Sequence, residues 1–438
     1  MRRARRPSRI LPALLVLFCA ACSGGGSSGT PSPGGSVDKT PVTITVWDYY
    51  GTATPFTKQA LAGFHQQYPW ITVNYQSLGW NATHDKFTVT VASGAGPDVA
   101  TLDMTWIPTF ASQGLLYNLT DLSGGSLNGQ PIQGQYTPGA LDAMTYNGNY
   151  VVMLSDFDAY ALYYRADLFQ QKHIQVPTTW SQLQTAAKQL ATDTNGDGKP
   201  DKYLYQVPAG DCFHWCSYLF QNGGSILNSD GTASAFNDQS GLQAMEMYKS
   251  FLDNGTGIYW GNSEGDPMAG IKDGRIGMFE DGPYWMGLLK TGAPELSGDW
   301  KVAPAPYGTT PGSYLGGTGL GIPVNCKHPQ QAWLFIQYML QLKQQLGVAM
   351  YAGAAPATSA ALNNAYLSEP DPYFGNTVPF QVFLKTMSTA THFPYVKQWD
   401  QVDTDIGNMV DYALLGKKTP QEALARGAQQ VNSDLSSG

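Results

Sequence analysis

Charge is what this chain has least of. Lys, Arg, Asp and Glu make up 13% of its 438 residues, where soluble domains carry roughly a quarter. Five of the 25 basic residues, Arg2, Arg3, Arg5, Arg6 and Arg9, precede residue 22, and no acid accompanies them. The rest of the chain holds 20 basic against 33 acidic residues, a net of −13. A balance of that sign excludes nucleic acid as a partner and leaves no electrostatic patch for an anionic membrane surface. Beyond residue 22 no apolar run is long enough to span a bilayer. There are only six histidines and five cysteines. No Gly-x-Ser-x-Gly elbow joins a strand to a helix, and no His-Glu-x-x-His is present.

The amino-terminal segment reads as an export signal. The arginines are followed by an apolar stretch over residues 10–21, interrupted only by Pro12, and then by Cys22. That apolar core is too short for a spanning helix and has the pattern of a cleaved signal. Cleavage before Cys22 resembles bacterial lipoprotein processing, in which the new terminal Cys is acylated; Cys19 stands where that family prefers Leu. Residues 1–21 are therefore read as signal and 22–40, rich in Gly, Ser and Pro, as a flexible tether. Acyl chains on Cys22 would anchor the protein to the outer face of the cell membrane.

The 417 residues left are too many for one ordinary core, so two domains are expected. Residues 42–47 alternate like a half-buried strand. Thr54-Pro55 signals a helix start, Phe56, Ala60 and Phe64 a buried stripe, and Pro69 its end. Strand again follows at 71–75, helix through Phe87 and Val91, and strand at 98–102. Strand, helix and strand with short links imply a parallel, right-handed βαβ layer. Further on, Thr179-Trp180 opens a helix with Leu183, Ala187 and Leu190 inward. Leu242, Met245, Tyr248 and Leu252 mark another, residues 277–279 a strand, Trp333 and Ile336 a helix after Pro329, and Pro420 the last helix. The fold class is α/β, in two lobes.

The order of short motifs is similar to that of the extracellular solute-binding proteins of ABC importers, in the sugar-binding branch that includes maltose-binding protein. Gly94-Ala-Gly-Pro-Asp98 resembles the family's Gly-x-Gly-Pro-Asp turn. Phe110-Ala-Ser-Gln-Gly-Leu-Leu-Tyr-Asn-Leu119, Leu162-Tyr-Tyr-Arg165, Pro177-Thr-Thr-Trp180 and Gln221-Asn-Gly-Gly224 follow in family order. Asp281-Gly-Pro-Tyr284 and Gly316-Gly-Thr-Gly-Leu-Gly-Ile322 complete the series. The resemblance implies a periplasmic-binding-protein-like fold whose two discontinuous lobes are joined by hinge crossings. Residues 41–156 and 316–368 would form the first lobe, 157–315 and 369–438 the second. It also implies a monomer that closes on a sugar and hands it to ABC permease subunits, with no catalysis and no cofactor.

Sugars present an apolar C–H face and a rim of hydroxyls, so aromatics beside carboxylates near strand ends are the candidates. Trp47, Asp48 and Tyr49 follow the first strand. Trp80, Asp103 and Trp106 flank the third, while Asp98 reads as a turn cap. Asp158 matches the position at the first crossing where the family's maltose-binding member uses a carboxylate, and Asp156 and Tyr160 are its neighbours. Of Tyr284 and Trp285, one should stack on ligand and the other enter a core. Trp215 and Trp399, beside Asp400, are further candidates, and Gly317 would let backbone approach the ligand or relax the hinge.

Two clusters point elsewhere. In an oxidising compartment Cys212 and Cys216 could form a small disulfide; a zinc site with His214 lacks a second ligand pair. Asp193, Asn195, Asp197, Lys199 and Asp201 follow the opening of a calcium loop, but Leu204 stands where its closing Glu belongs. A secreted glycoside hydrolase is the rival function, with Asp156 and Asp158 or Glu280 and Asp281 as acid and base. Neighbouring carboxylates on a strand project to opposite faces, which weighs against either pair as a dyad.

Overall fold

The computed structural model describes residues 38–49, 55–261 and 263–437. The signal, Cys22 and the tether through residue 37 lie outside the described residues. No described helix is long and apolar enough to cross a membrane.

Strand Val42–Asp48 is flanked by Ile71–Ser77 and Val99–Asp103, both parallel to it. Helix Pro55–Gln67 opens on a proline, whose missing N–H costs nothing at a first turn, and closes before Pro69. It buries Ala60 and Phe64, while Phe56 is only half-buried. The turn after helix Trp80–Ala92 is pinned by Asp98, whose carboxylate accepts the Thr45 N–H at 2.8 Å. These three strands belong to a seven-stranded sheet, completed by Tyr314–Gly321, Val152–Ala159, Ala355–Pro356 and Thr391–His392.

A second, five-stranded sheet runs Gly257–Trp260, Leu204–Pro208, Ile276–Asp281, Ala161–Arg165, Trp300–Ala303. Helices Trp180–Leu190, Cys212–Gln221, Gln239–Asp253, Trp399–Leu414 and Pro420–Ser436 share one apolar cluster with it. Trp285–Gly292 and Pro379–Met387 contribute to another. The first sheet has its own core around Ile44, Phe64, Phe87, Phe110, Leu154 and Ile336. The last helix is held at its start by a reciprocal cap between Thr419 and Glu422.

The chain passes between the sheets with very little slack. Val152–Ala159 belongs to the first sheet and Ala161–Arg165 to the second, with Tyr160 alone between them. The returning strand, Tyr314–Gly321, pairs antiparallel with Val152–Ala159. Ser313 stitches the two: its Oγ accepts the Tyr160 N–H at 2.8 Å and donates to the Tyr160 carbonyl at 3.0 Å. A later segment returns to the first sheet at Ala357, whose N–H donates to Ser155 O, and then packs Leu367, Tyr373 and Phe374 into the second lobe.

Gly317 makes this pairing possible. Its φ of 150° is one that side-chain-bearing residues avoid, and a Cβ there would stand 2.3 Å from the Asp156 carbonyl oxygen. Gly317→Ala should therefore destabilise the fold by about 1–3 kcal/mol, the usual cost of one strained backbone position. Urea unfolding checks this, and an unchanged midpoint would refute it.

Candidate ligand cleft

One wall of the cleft rises from the end of strand Val99–Asp103. Asp103 Oδ1 accepts the Thr105 N–H at 2.9 Å and hydroxyl at 2.8 Å, and Oδ2 accepts Trp80 Nε1–H at 3.2 Å. That last bond fixes the Trp80 indole, which packs 4.8 Å from Trp106. Trp80 is 36% exposed and Trp106 only 2%, so Trp80 offers a face to a ligand while Trp106 backs it. Tyr49 lies edge-on to Trp106 at 5.6 Å and shares a 2.8 Å hydrogen bond with Thr318 Oγ1.

The opposing wall comes from the second sheet. Asp281 ends strand Ile276–Asp281 and is saturated: Oδ1 accepts Gly282 N–H and the Tyr284 hydroxyl, Oδ2 accepts Trp285 Nε1–H. Tyr160 packs against His214 at 4.7 Å. His214 Nδ1 lies 2.9 Å from Asp211 Oδ2 and Nε2 2.9 Å from the Glu280 carbonyl. Burial pushes its pKa down, but Asp211 and Asp281 outweigh that and hold it well above the usual imidazole value. Phe213 stands edge-on to Tyr314 at 5.1 Å and to Trp80, across the cleft, at 6.1 Å. A second link between lobes joins His84 Nε2 to Asp400 Oδ2 at 3.2 Å.

Asp158 sits at the seam. Its carboxylate makes no hydrogen bond among the described residues, and Oδ1 is sealed from solvent. A Cβ on Gly282 would fall 2.0 Å from that oxygen, so the glycine of Asp281-Gly-Pro-Tyr284 is what lets the other lobe close over it. Burial raises the Asp158 pKa well above the carboxylate range, and the charges of Asp281, Asp156 and Asp103 push the same way. Asp48 and Asp156 also line a recess between helices Pro55–Gln67 and Leu342–Ala352, walled by Phe56, Tyr75 and Tyr351.

Asp48, Tyr49, Trp80, Asp103, Trp106, Asp158, Tyr160, Tyr284 and Gly317 are thus brought to or beside the cleft. Others are not. Trp47 is buried in the first core because strand alternation turns it away from Asp48. Trp215 and Trp399 are 0% and 1% exposed, inside the second-lobe core. Helix Cys212–Gln221 turns Cys212, Trp215, Cys216 and Leu219 inward together, so Phe213 is its cleft aromatic. Trp285 enters a core, leaving Tyr284 to the cleft. Cys212 and Cys216 are free thiols with sulfurs 3.3 Å apart, one helical turn from each other, rather than a disulfide.

In the 193–201 loop, Asp193 accepts Gly196 and Gly198 N–H groups, Asn195 the Asp197 N–H, and Asp197 that of Lys199. Asp201 takes Thr194, so loop donors already occupy these oxygens. Asp156 and Asp158 are two apart and share a strand face, contrary to the alternation argument; that argument holds only for Glu280 and Asp281. Sequence reasoning missed Phe213, His84, His214 as a cleft group, Thr318 and Tyr314. Of these, Phe213 alone carried a signal, being off the apolar face of its own helix.

Residues 53–372 match the family described as bacterial extracellular solute-binding proteins. The chain belongs to that family. Another binding protein, from Brucella abortus, is 25% identical over 91% of this chain and 94% of its own. The diacetylchitobiose-binding protein DasA of Streptomyces coelicolor is 23% identical over 96% of this chain and 95% of its own. An ABC-transporter solute-binding protein from Thermotoga lettingae, solved with α-D-tagatose, superposes with a TM-score of 0.78. It is 25% identical, covering 90% of this chain and 99% of that one. In this solute-binding protein two α/β lobes face each other.

Glu280, behind the cleft, tests the electrostatics. Burial pushes its carboxyl up to about 7 against the hydrogen bonds it accepts, Gln221 Nε2 foremost. The unfolded value is about 4.3. The folded state therefore holds the extra proton between these values, and stability from this group falls as pH rises from about 4 to about 7. Glu280→Gln should raise the melting temperature at pH 8 and leave it nearly unchanged at pH 4.5. An equal shift at both pH values would contradict the buried-charge account.

Proposed function

We propose that this protein captures a mono- or oligosaccharide between its lobes and delivers it, unaltered, to the permease of an ABC importer. The observation that carries the reading is Asp158, a buried carboxyl oxygen with no partner, set between Asp103, which holds Trp80, of one lobe and Tyr160 and Tyr284 of the other. A buried acceptor left unsatisfied is costly; a sugar hydroxyl would satisfy it while ring C–H groups pack on the aromatic faces. The tagatose and diacetylchitobiose binders among the relatives support the same class of ligand.

Export and acylation at Cys22 would keep a monomeric receptor at the outer membrane face beside its permease, in line with the extracellular family. The hydrolase reading fares worse. Asp281 is saturated by donors, and Asp156 is 2% exposed with Ser155 donating to its Oδ2. Neither is set to exchange protons with a bound glycoside.

A melting screen against mono- and oligosaccharides tests capture, since a ligand at 100 times its Kd stabilises by about 2.7 kcal/mol. Asp158→Ala and Tyr284→Ala should each abolish the shift with the fold intact, whereas Trp215→Phe should keep it. Retention in both cleft variants would remove the site, and appearance of cleaved sugar would remove the binding-protein reading.

A further inference from the structure

The cleft gathers acidic side chains, and only the imidazoles His214 and His84 oppose them. Asp103, Asp156 and Asp281 all act on Asp158, and Asp48, Asp103 and Asp156 all act on Tyr49. Among the described residues, no Lys or Arg forms an ion pair with Asp103, Asp158 or Asp281. The nearby cations are two imidazoles already engaged: His214 with Asp211 and Asp281, His84 with Asp400 and Asp85. Asp103 has only neutral donors, and Asp158 has none.

A neutral sugar could hydrogen-bond such groups but would leave in place the repulsion that, with burial, holds the Asp158 carboxyl protonated. A protonated amine would relieve it, and the aromatic faces of Trp80 and Tyr284 would add cation–π attraction. No three acidic or imidazole side chains among the described residues converge as a metal ion needs. The negative charge lies along the cleft, which suits an organic cation.

Resting on the proposed sugar-binding role, we infer that the cleft selects a saccharide bearing a protonated amino group, with Asp158 and Asp103 as its counter-charges. The ligand class is an amino sugar, or an oligosaccharide containing one, with its ammonium at the seam between lobes.

Calorimetric titration with matched twins tests this: glucosamine with glucose, galactosamine with galactose, and unacetylated chitobiose with both cellobiose and diacetylchitobiose. On any scaffold that binds, the amine should bind about tenfold or more tighter than its hydroxyl or acetamide twin, as a charge-assisted bond to a buried carboxylate predicts. In Asp158→Asn that preference should fall to about twofold or less. Equal or tighter binding of the neutral twin overturns the amine inference and leaves sugar capture standing. In Asp158→Asn the neutral twin should weaken as well, and loss of the amine preference there supports the inference. Spermidine is titrated alongside as a sugar-free cation: its binding alone, or binding of none of these compounds, overturns the sugar reading and this inference with it.

Discussion

The closeness of two backbones at the lobe crossing governs the rest of this molecule. Val152–Ala159 and Tyr314–Gly321 run antiparallel through the seam, and Gly317 permits an approach to Asp156 that no side chain would allow. Ser313 ties the crossings on both sides of Tyr160. Because the chain changes sheets across one residue, Asp158 is carried to the boundary on a rigid strand rather than a loop. Rigid placement keeps a carboxylate unpaired in the free protein and ready for a ligand.

From that seam the two walls follow. Each is the end of a strand whose last residue is an aspartate, Asp103 in one lobe and Asp281 in the other. Each accepts three hydrogen bonds. Asp281 takes Gly282 N–H, the Tyr284 hydroxyl and Trp285 Nε1–H, and so orients the turn that closes over Asp158. Asp103 takes the Thr105 N–H and hydroxyl and Trp80 Nε1–H, and so fixes the exposed indole of the facing wall.

The tilt of individual helices decided which aromatics reach the cleft. In Asp211-Cys-Phe-His-Trp-Cys216 the large indole drew attention, yet Trp215 lies on the same helical face as Cys212 and Leu219 and is buried with them. Phe213 and His214, flanking it, meet Tyr314 and Tyr160 instead. Size and aromatic character do not separate a core tryptophan from a ligand-facing one; packing direction does. The same holds for Trp399, which fills the second core beneath Phe393.

The sequence by itself determined the α/β layering, the order of strands and helices in the first lobe, the helix starts at Pro55, Thr179 and Pro420, and the family-like run of turns, because these rest on local periodicity and backbone preference. It also placed carboxylates at strand ends and at the crossing. Only the tertiary structure decided that Asp158 lacks a donor, that Asp281 has several, and that His84 spans to Asp400. Those properties depend on groups far apart in the chain, brought together when one residue carries the backbone from one sheet to the other.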